Sequence, residues 1–249
     1  MVLGCMPPPR LSVVVPAYNE AGRIGGTLRA IRAYLDGRGE SDAEVLVVDD
    51  GSRDGTAAVV ADADPRAVVL GGGANRGKGH AVKTGVLASR GARVLFSDAD
   101  LSTPIEELAK LEAALAAGAA VAIGSRGLPA SDIRVRQSLP REMMGRGFNV
   151  LVRALVLGGF MDTQCGFKLL EGETARGLFR EVRLDGFAFD VELLWLARRR
   201  GVRVAEVPVT WRHADRSKVS PVVDAAKMFR DIVRIRWLHR DEPAPNGEP

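Results

Sequence analysis

The chain has 249 residues, a hydrophobic fraction of 46% and a formal net charge of +4. That is enough for one α/β domain with a buried core or two small ones, and too weakly basic for charge alone to choose among phosphorylated ligands, anionic lipid and nucleic acid. Cys5 and Cys165 share no metal-binding or redox spacing and read as free thiols. The start of the chain lacks the apolar core of a signal peptide, and Phe148–Phe160 carries Arg153 and is shorter than the roughly twenty residues needed to span a bilayer. The chain is therefore expected to be cytoplasmic, free in solution or peripheral on a membrane surface.

In chain order, the near-continuous apolar run Leu11–Val15 predicts a strand covered on both faces, ending at Pro16-Ala17-Tyr18-Asn19-Glu20. Asn19 reads as an N-cap, Ile24, Leu28, Ile31 and Leu35 as one apolar helical stripe, and Gly37 as its stop. Glu44–Val48 predicts a second strand, running into the polar turn Asp49–Thr56 and an alanine-rich helix to Ala63. A third strand, Ala67–Leu70, leads into a glycine-rich turn through Lys78 and His80, and a helix follows from about Ala81 to Ser89. Strands alternating with helices imply right-handed βαβ units and a parallel sheet.

Arg93–Phe96 is the next strand, and it delivers Ser97-Asp98-Ala99-Asp100 to its end. Two carboxylates one residue apart at the C-terminal edge of a buried strand sit where open α/β sheets bind ligands. Clustered hard oxygens of that kind suit a divalent cation, and such a cation suits a diphosphate. Thr103-Pro104-Ile105-Glu106 reads as a capping box opening a helix to about Ala117, followed by a strand at Ala119–Ile123.

Beyond Gly124 the character changes. Arg126, Arg134, Arg136, Arg141 and Arg146 crowd a stretch without a strand pattern. Phe148, Leu151, Val152 and Leu155 then form an apolar helical stripe opposite Arg146, Asn149 and Arg153. Phe187–Arg200 predicts a helix, Val202–Val209 a strand, and Ser220-Pro221 the start of a last helix. In that helix Val222, Ala226, Phe229, Val233 and Trp237 share one side, with Lys227, Arg230 and Arg234 on another.

Four motifs in this order resemble the inverting family 2 glycosyltransferases of the GT-A type: Val-Pro-Ala-Tyr-Asn-Glu at 15–20, Val-Asp-Asp-Gly-Ser-Arg-Asp-Gly-Thr at 48–56, Asn-Arg-Gly-Lys-Gly at 75–79 and Asp-Ala-Asp at 98–100. Later segments, Asp162–Lys168, Phe187–Glu192, Glu206–Val209 and Ser217–Ser220, are similar to enzymes that make polyprenyl-phosphate sugars, nearest to the dolichyl-phosphate β-glucosyltransferases. The resemblance implies an α/β three-layer sandwich, Rossmann-like, with a mainly parallel sheet, helices on both faces and a C-terminal amphipathic helix. It covers a single domain over 10–240, with a nucleotide-sugar half at 10–124 and an acceptor half at 125–240. Residues 1–9 and 241–249 are expected to be disordered tails.

It further implies UDP-glucose as donor, Mg²⁺ or Mn²⁺ as cofactor, and a polyprenyl phosphate as acceptor. Pro16, Ala17, Tyr18 and Glu20 would border the nucleoside, Glu20 accepting from ribose hydroxyls, and Asp50 with Asp49 would accept from the uracil imide. Asn19 and Asp49 have capping of turns as their alternative. Lys78 would face the phosphates. Asp98, Ala99 and Asp100 would line the donor, with Asp100 as direct metal ligand and Asp98 either a second ligand or a partner of ribose or sugar. Mannose synthases of this type commonly carry a metal-holding Gln where this chain has Ser102.

A lipid phosphate is already ionised at neutral pH, so it needs placement and cations rather than a base. Arg126, Arg134, Arg136, Arg141 and Lys168 are the acceptor-side candidates, with Arg126 counted among the catalytic groups. Arg216 and Lys218, assigned to the donor side, can also offset the gathered charge. A saccharide hydroxyl would instead require a carboxylate base, for which Asp162, Asp190 and Glu192 are present, the last two otherwise explained by a helix dipole. His80, His213 and His239 have no paired metal spacing and read as structural. The competing readings are GDP-mannose as donor, a soluble or saccharide acceptor, and a non-enzymatic binding module. Nucleic acid is excluded because the basic residues are not interleaved with aromatics. The amphipathic stretch 146–157 and the last helix either rest on a membrane or cover the sheet.

Overall fold

The computed structural model describes residues 8–135, 158–212 and 221–240, with backbone alone at 134–135 and 221–226. Seven strands form the central sheet: β1 (Leu11–Ala17), β2 (Glu44–Asp49), β3 (Val68–Gly71), β4 (Arg93–Ser97), β5 (Val121–Ser125), β7 (Phe167–Glu171) and β8 (Val204–Pro208). Their order is β3-β2-β1-β4-β7-β5-β8, and a parallel pair, β6 (Asp132–Val135) with β9 (Thr210–Arg212), stands apart. All central pairings are parallel except those of β7, which runs antiparallel between β4 and β5.

The alternation along β1 explains the layers. Val13 and Val15 point to one face and meet Ile24, Leu28, Ile31 and Leu35 of α1 (Ile24–Gly37), with Leu108 and Leu111 of α4 (Leu108–Ala116) farther along the same face. Val14 points to the other face, against Ala81, Val82 and Val86 of α3 (Lys78–Ala88). There it joins residues of α5 (Gly172–Glu181) and α6 (Phe189–Arg199) in a second core, where Phe96, Phe179 and Phe189 meet with ring centroids 5.9–6.4 Å apart. The result is helix, sheet, helix. A short helix α2 (Thr56–Ala63) links β2 to β3.

Several local expectations shift. α1 starts at Ile24 with Arg23 as N-cap and ends at Gly37 as expected, although the left-handed residue that follows is Gly39, at φ 72°. Asn19 does not cap it: its backbone is itself left-handed, φ 54°, its N–H donates to Ser52 Oγ at 2.8 Å, and its Oδ1 receives the Arg53 N–H. The capping box at Thr103–Glu106 does not form, because Thr103 Oγ1 turns to Cys165 Sγ at 3.7 Å and a 3₁₀ turn, Ile105–Glu107, precedes α4. β6 lies in a stretch that showed no strand pattern, and the span Val202–Val209 continues through a break into β9.

The last helix, α7 (Pro221–Leu238), seats Ile232 and Ile235 in the second core and leaves Phe229, Val233 and Trp237 exposed at 46%, 52% and 61%. That stripe therefore does not cover the sheet; Val222 and Ala226 lie among the side chains not described. Just beyond α7, His239 is fully buried, its Nε2 2.6 Å from Glu192 Oε1 and its ring 5.3 Å from Trp195. Among the described residues no helix is long and apolar enough to cross a membrane.

Candidate active site

Reversal of strand order between β1 and β4 opens the sheet at their C-terminal ends, the place where doubly wound folds bind ligands. A cavity of about 410 Å³ occupies this fork. Pro16, Ala17, Tyr18 and Glu20 enter it from the end of β1, Asp50 from β2, Asn75, Gly77 and Lys78 from the loop into α3, and Asp98, Ala99 and Asp100 from β4. Arg23 and Ala81 add to the wall, and Gly186 and Phe187 bring the second half of the chain to the same cavity.

Each acidic residue has a defined partner. Asp49 is buried and its Oδ1 accepts the Ser52 N–H at 2.8 Å, the turn-capping role. Asp50 lines the cavity and uses its two oxygens to accept the Arg76 and Gly77 N–H groups at 2.9 and 2.8 Å, folding the glycine-rich loop over the cleft. Gly77 sits at φ 114°, and a Cβ there would lie 2.5 Å from the Asp185 carbonyl, so only glycine lets this loop close against residues 185–186.

Asp98 lies 2.6 Å from Lys78 Nζ, and Asp100 lies 3.8 Å from Arg23 Nη1. Burial pulls the Lys78 ammonium down, but Asp98 and Asp190 outweigh it and the group is held above the ordinary lysine range. Asp100 Oδ1 also accepts the Ser102 N–H at 2.9 Å across Leu101, whose φ of 45° is uncommon for a leucine. Asp98 is fixed from below: its N–H donates to the Gly166 carbonyl at 3.0 Å, and a Cβ on Gly166 would fall 2.1 Å from Asp98 Oδ2. The glycine of the Asp162–Lys168 segment is thus the floor under the carboxylate.

No third His, Cys, Asp or Glu joins the pair among the described residues. Two hard carboxylates without a closed protein cage fit Mg²⁺ or Mn²⁺ of the kind that completes its shell with substrate phosphates and water.

The second half of the chain departs more from expectation. Arg126 is clamped by Asp162: Nε to Oδ2 at 2.6 Å, Nη2 to Oδ1 at 2.9 Å, and the backbone N–H to Oδ2 at 3.0 Å. Burial opposes both charges, yet the pairing wins, holding Arg126 above the usual guanidinium range and Asp162 down at about 2. Arg126 also stacks over Trp211, 5.6 Å from the ring centroid.

Lys168, expected on the acceptor side, is fully buried. Its ammonium pairs with Asp190 and donates to the Cys165 carbonyl at 2.7 Å, so it cannot meet a lipid phosphate. Glu192 is not merely a helix-dipole partner: it accepts the Arg183 and Leu184 N–H groups at 3.0 and 2.8 Å and contacts His239, anchoring the loop that carries Gly186 and Phe187. His80 lies 3.8 Å from Asp185, and Cys165 is buried with its thiol pushed up to about 11, chiefly by burial. Arg136, Arg141, Arg216, Lys218, His213, Cys5 and the stretch 146–157 lie outside the described residues, as does the Arg134 side chain. Arg23 and Gly186 are cavity residues that the motifs did not single out; a basic residue one turn after Glu20 was the available signal for the first.

An open sheet with this carboxylate edge is the architecture of the GT-A transferases. Mannosyl-3-phosphoglycerate synthase from Rubrobacter xylanophilus superposes with a TM-score of 0.69 at 23% identity, covering 96% of this chain and 78% of that one. Glucosyl-3-phosphoglycerate synthase from Mycobacterium tuberculosis, crystallised with Mn²⁺, UDP and glucosyl-3-phosphoglycerate, gives 0.65 at 23%, covering 96% and 82%. The sequence model of glycosyl transferase family 2 matches residues 12–171, and the chain belongs to that family. Curated relatives named dolichyl-phosphate beta-glucosyltransferase include those of Dictyostelium discoideum, 39% identical over 92% of this chain and 74% of the relative, and Homo sapiens, 36% identical over 93% and 77%. The chain is thus a glycosyltransferase.

Proposed function

We propose that this glycosyltransferase moves glucose from UDP-glucose to the phosphate of a polyprenyl, dolichyl-type, acceptor with inversion at the anomeric carbon. The observation that carries the reading is the fork itself, where Asp98 and Asp100 stand beside Lys78 at the mouth of a nucleotide-sized cleft. The names of the curated relatives supply the sugar and the acceptor class.

Asp100 and Asp98 would hold Mg²⁺ or Mn²⁺, which when bound offsets the charge on the departing diphosphate. Tyr18 and Glu20 border the nucleoside, and the Asp50-pinned loop brings Lys78 to the phosphates. An acceptor phosphate attacks as an anion, so no proton has to be removed. This agrees with the state of the three carboxylates available as the base a hydroxyl acceptor would need: Asp162 is engaged by Arg126 and 2% exposed, Asp190 is engaged by Lys168 and 3% exposed, and Glu192 is fully buried on the Arg183 and Leu184 N–H groups. Arg126, kept cationic and oriented by Asp162, is the acceptor-side charge we assign among the described residues.

The test is incubation with radiolabelled UDP-glucose, Mn²⁺ and a short polyprenyl phosphate, followed by organic extraction. Label should enter the organic phase and be absent when a free polyprenol replaces its phosphate. Preferential use of GDP-mannose in a parallel reaction would overturn the donor, and label remaining with a water-soluble saccharide would overturn the acceptor.

A polyprenyl tail keeps its phosphate at a bilayer, and α7 has the composition to meet one: Phe229, Val233 and Trp237 at helical spacing, with Lys227, Arg230, Arg234 and Arg236 on the same helix. Replacing Phe229 and Trp237 together by serine is expected to reduce co-sedimentation with anionic vesicles by about tenfold or more. Unchanged partitioning would remove this helix as the contact.

A further inference from the structure

The Arg23 guanidinium is placed with unusual definition for a residue that no motif marks. Nε and Nη2 both donate to the Glu20 carboxylate, the second at 2.8 Å, so the fork is held in one plane. The remaining nitrogen, Nη1, is buried, has no hydrogen-bond acceptor among the described residues, and lies 3.8 Å from Asp100 Oδ2. A buried donor without an acceptor is rare and calls for a group that completes it. Lys78 makes a closer pair with Asp98, at 2.6 Å, so each carboxylate of the pair faces one resident cation of the chain.

We infer that Arg23 is the resident counter-cation of Asp100, so that a divalent ion binds tightly only together with the donor diphosphate. This rests on the proposed metal role of Asp100. A divalent ion arriving alone at Asp100 meets a guanidinium that cannot swing away, because Glu20 holds it. A nucleotide diphosphate arriving with the ion brings negative charge to both cations at once, and gives Nη1 the oxygen acceptor it lacks. Arg23 is in this sense a positioning residue that makes metal and donor binding interdependent, and the coupling must appear with equal size in the affinity of either ligand. Glu20 then has a structural task besides any contact with ribose, since it fixes where the charge sits.

The test is binding without turnover. Free Mn²⁺ is counted by electron paramagnetic resonance over wild-type protein, Arg23→Gln and Arg23→Lys, each with and without UDP. Wild type should bind Mn²⁺ weakly alone and at least about tenfold more tightly with UDP. Arg23→Gln should bind Mn²⁺ alone more tightly than wild type and lose most of the gain from UDP. Arg23→Lys keeps the charge and should stay near wild type for Mn²⁺ alone, which separates the charge from a folding defect; melting curves of all three check the latter. Equal Mn²⁺ affinity of wild type and Arg23→Gln without UDP overturns the inference. Asp100→Asn reports on the underlying assignment: if it binds Mn²⁺ with UDP as wild type does, the metal reading fails, whereas an Asp100-dependent site that ignores Arg23 sinks the coupling alone.

Discussion

Replacing Asp100 by alanine is expected to lower kcat/KM for transfer by about a thousandfold or more at saturating Mn²⁺ while leaving the fold intact. The structural cost is small. The side chain is 23% exposed, makes one hydrogen bond to the Ser102 N–H, and faces Arg23 only at 3.8 Å. Loss of one such bond removes about 1 kcal/mol, so the melting temperature should fall by no more than about 4–8 °C for a domain near 100 residues and by less for a chain of this length. The functional cost is large because the described protein offers no third ligand to the pair. Asp98 alone, already bonded to Lys78, is a poor substitute. The measurement is initial rate across a Mn²⁺ titration beside a thermal melt. Undiminished turnover would falsify the metal assignment, and collapse of the melt would transfer the role of Asp100 from chemistry to structure.

The contrast between the two halves shows what a sequence exposes to reading. The βαβ half was legible because its strands are buried on both faces and its helices carry one apolar stripe, so periodicity, order and motif spacing all point the same way. Asp98, Asp100, Tyr18 and Glu20 fall in one cavity because each closely follows the end of a strand, and Lys78 joins them at the start of α3 through the glycine-rich loop after β3. β7 and α5 were not legible. β7 places a lysine, Lys168, between Phe167 and Leu169, and its antiparallel insertion between β4 and β5 leaves no local trace. What decides the burial of Lys168 is Asp190, 22 residues away. Glu192 and His239 illustrate the same limit at a separation of 47 residues. Charges tethered by distant partners look, in sequence, like charges awaiting a ligand.

That buried pair gives the largest expected effect on stability. Lys168→Met should destabilise the protein by about 3–5 kcal/mol, because it leaves the Asp190 carboxylate in the core without the ammonium that compensates it. Lys168 is fully enclosed, donates also to the Cys165 carbonyl and lies 5.2 Å from the Phe96 ring centroid, so no water replaces it in place. Even with Lys168 present, burial lifts the Asp190 pKa above the ordinary aspartate value, against the opposing pull of Lys168 and Lys78. Removing Lys168 lifts it further. A carboxyl whose folded pKa exceeds its unfolded one favours folding most when protonated in both states, and that advantage is lost as pH rises through the folded value. The deficit of Lys168→Met relative to wild type should therefore be largest near pH 7.5 and shrink as pH falls towards 5. Denaturant titrations at the two pH values measure it directly. Adding Asp190→Leu to Lys168→Met should recover most of the loss, since an apolar pair replaces two buried charges. A double variant no more stable than Lys168→Met would mean that the lysine acts through packing against Phe96 rather than through its charge.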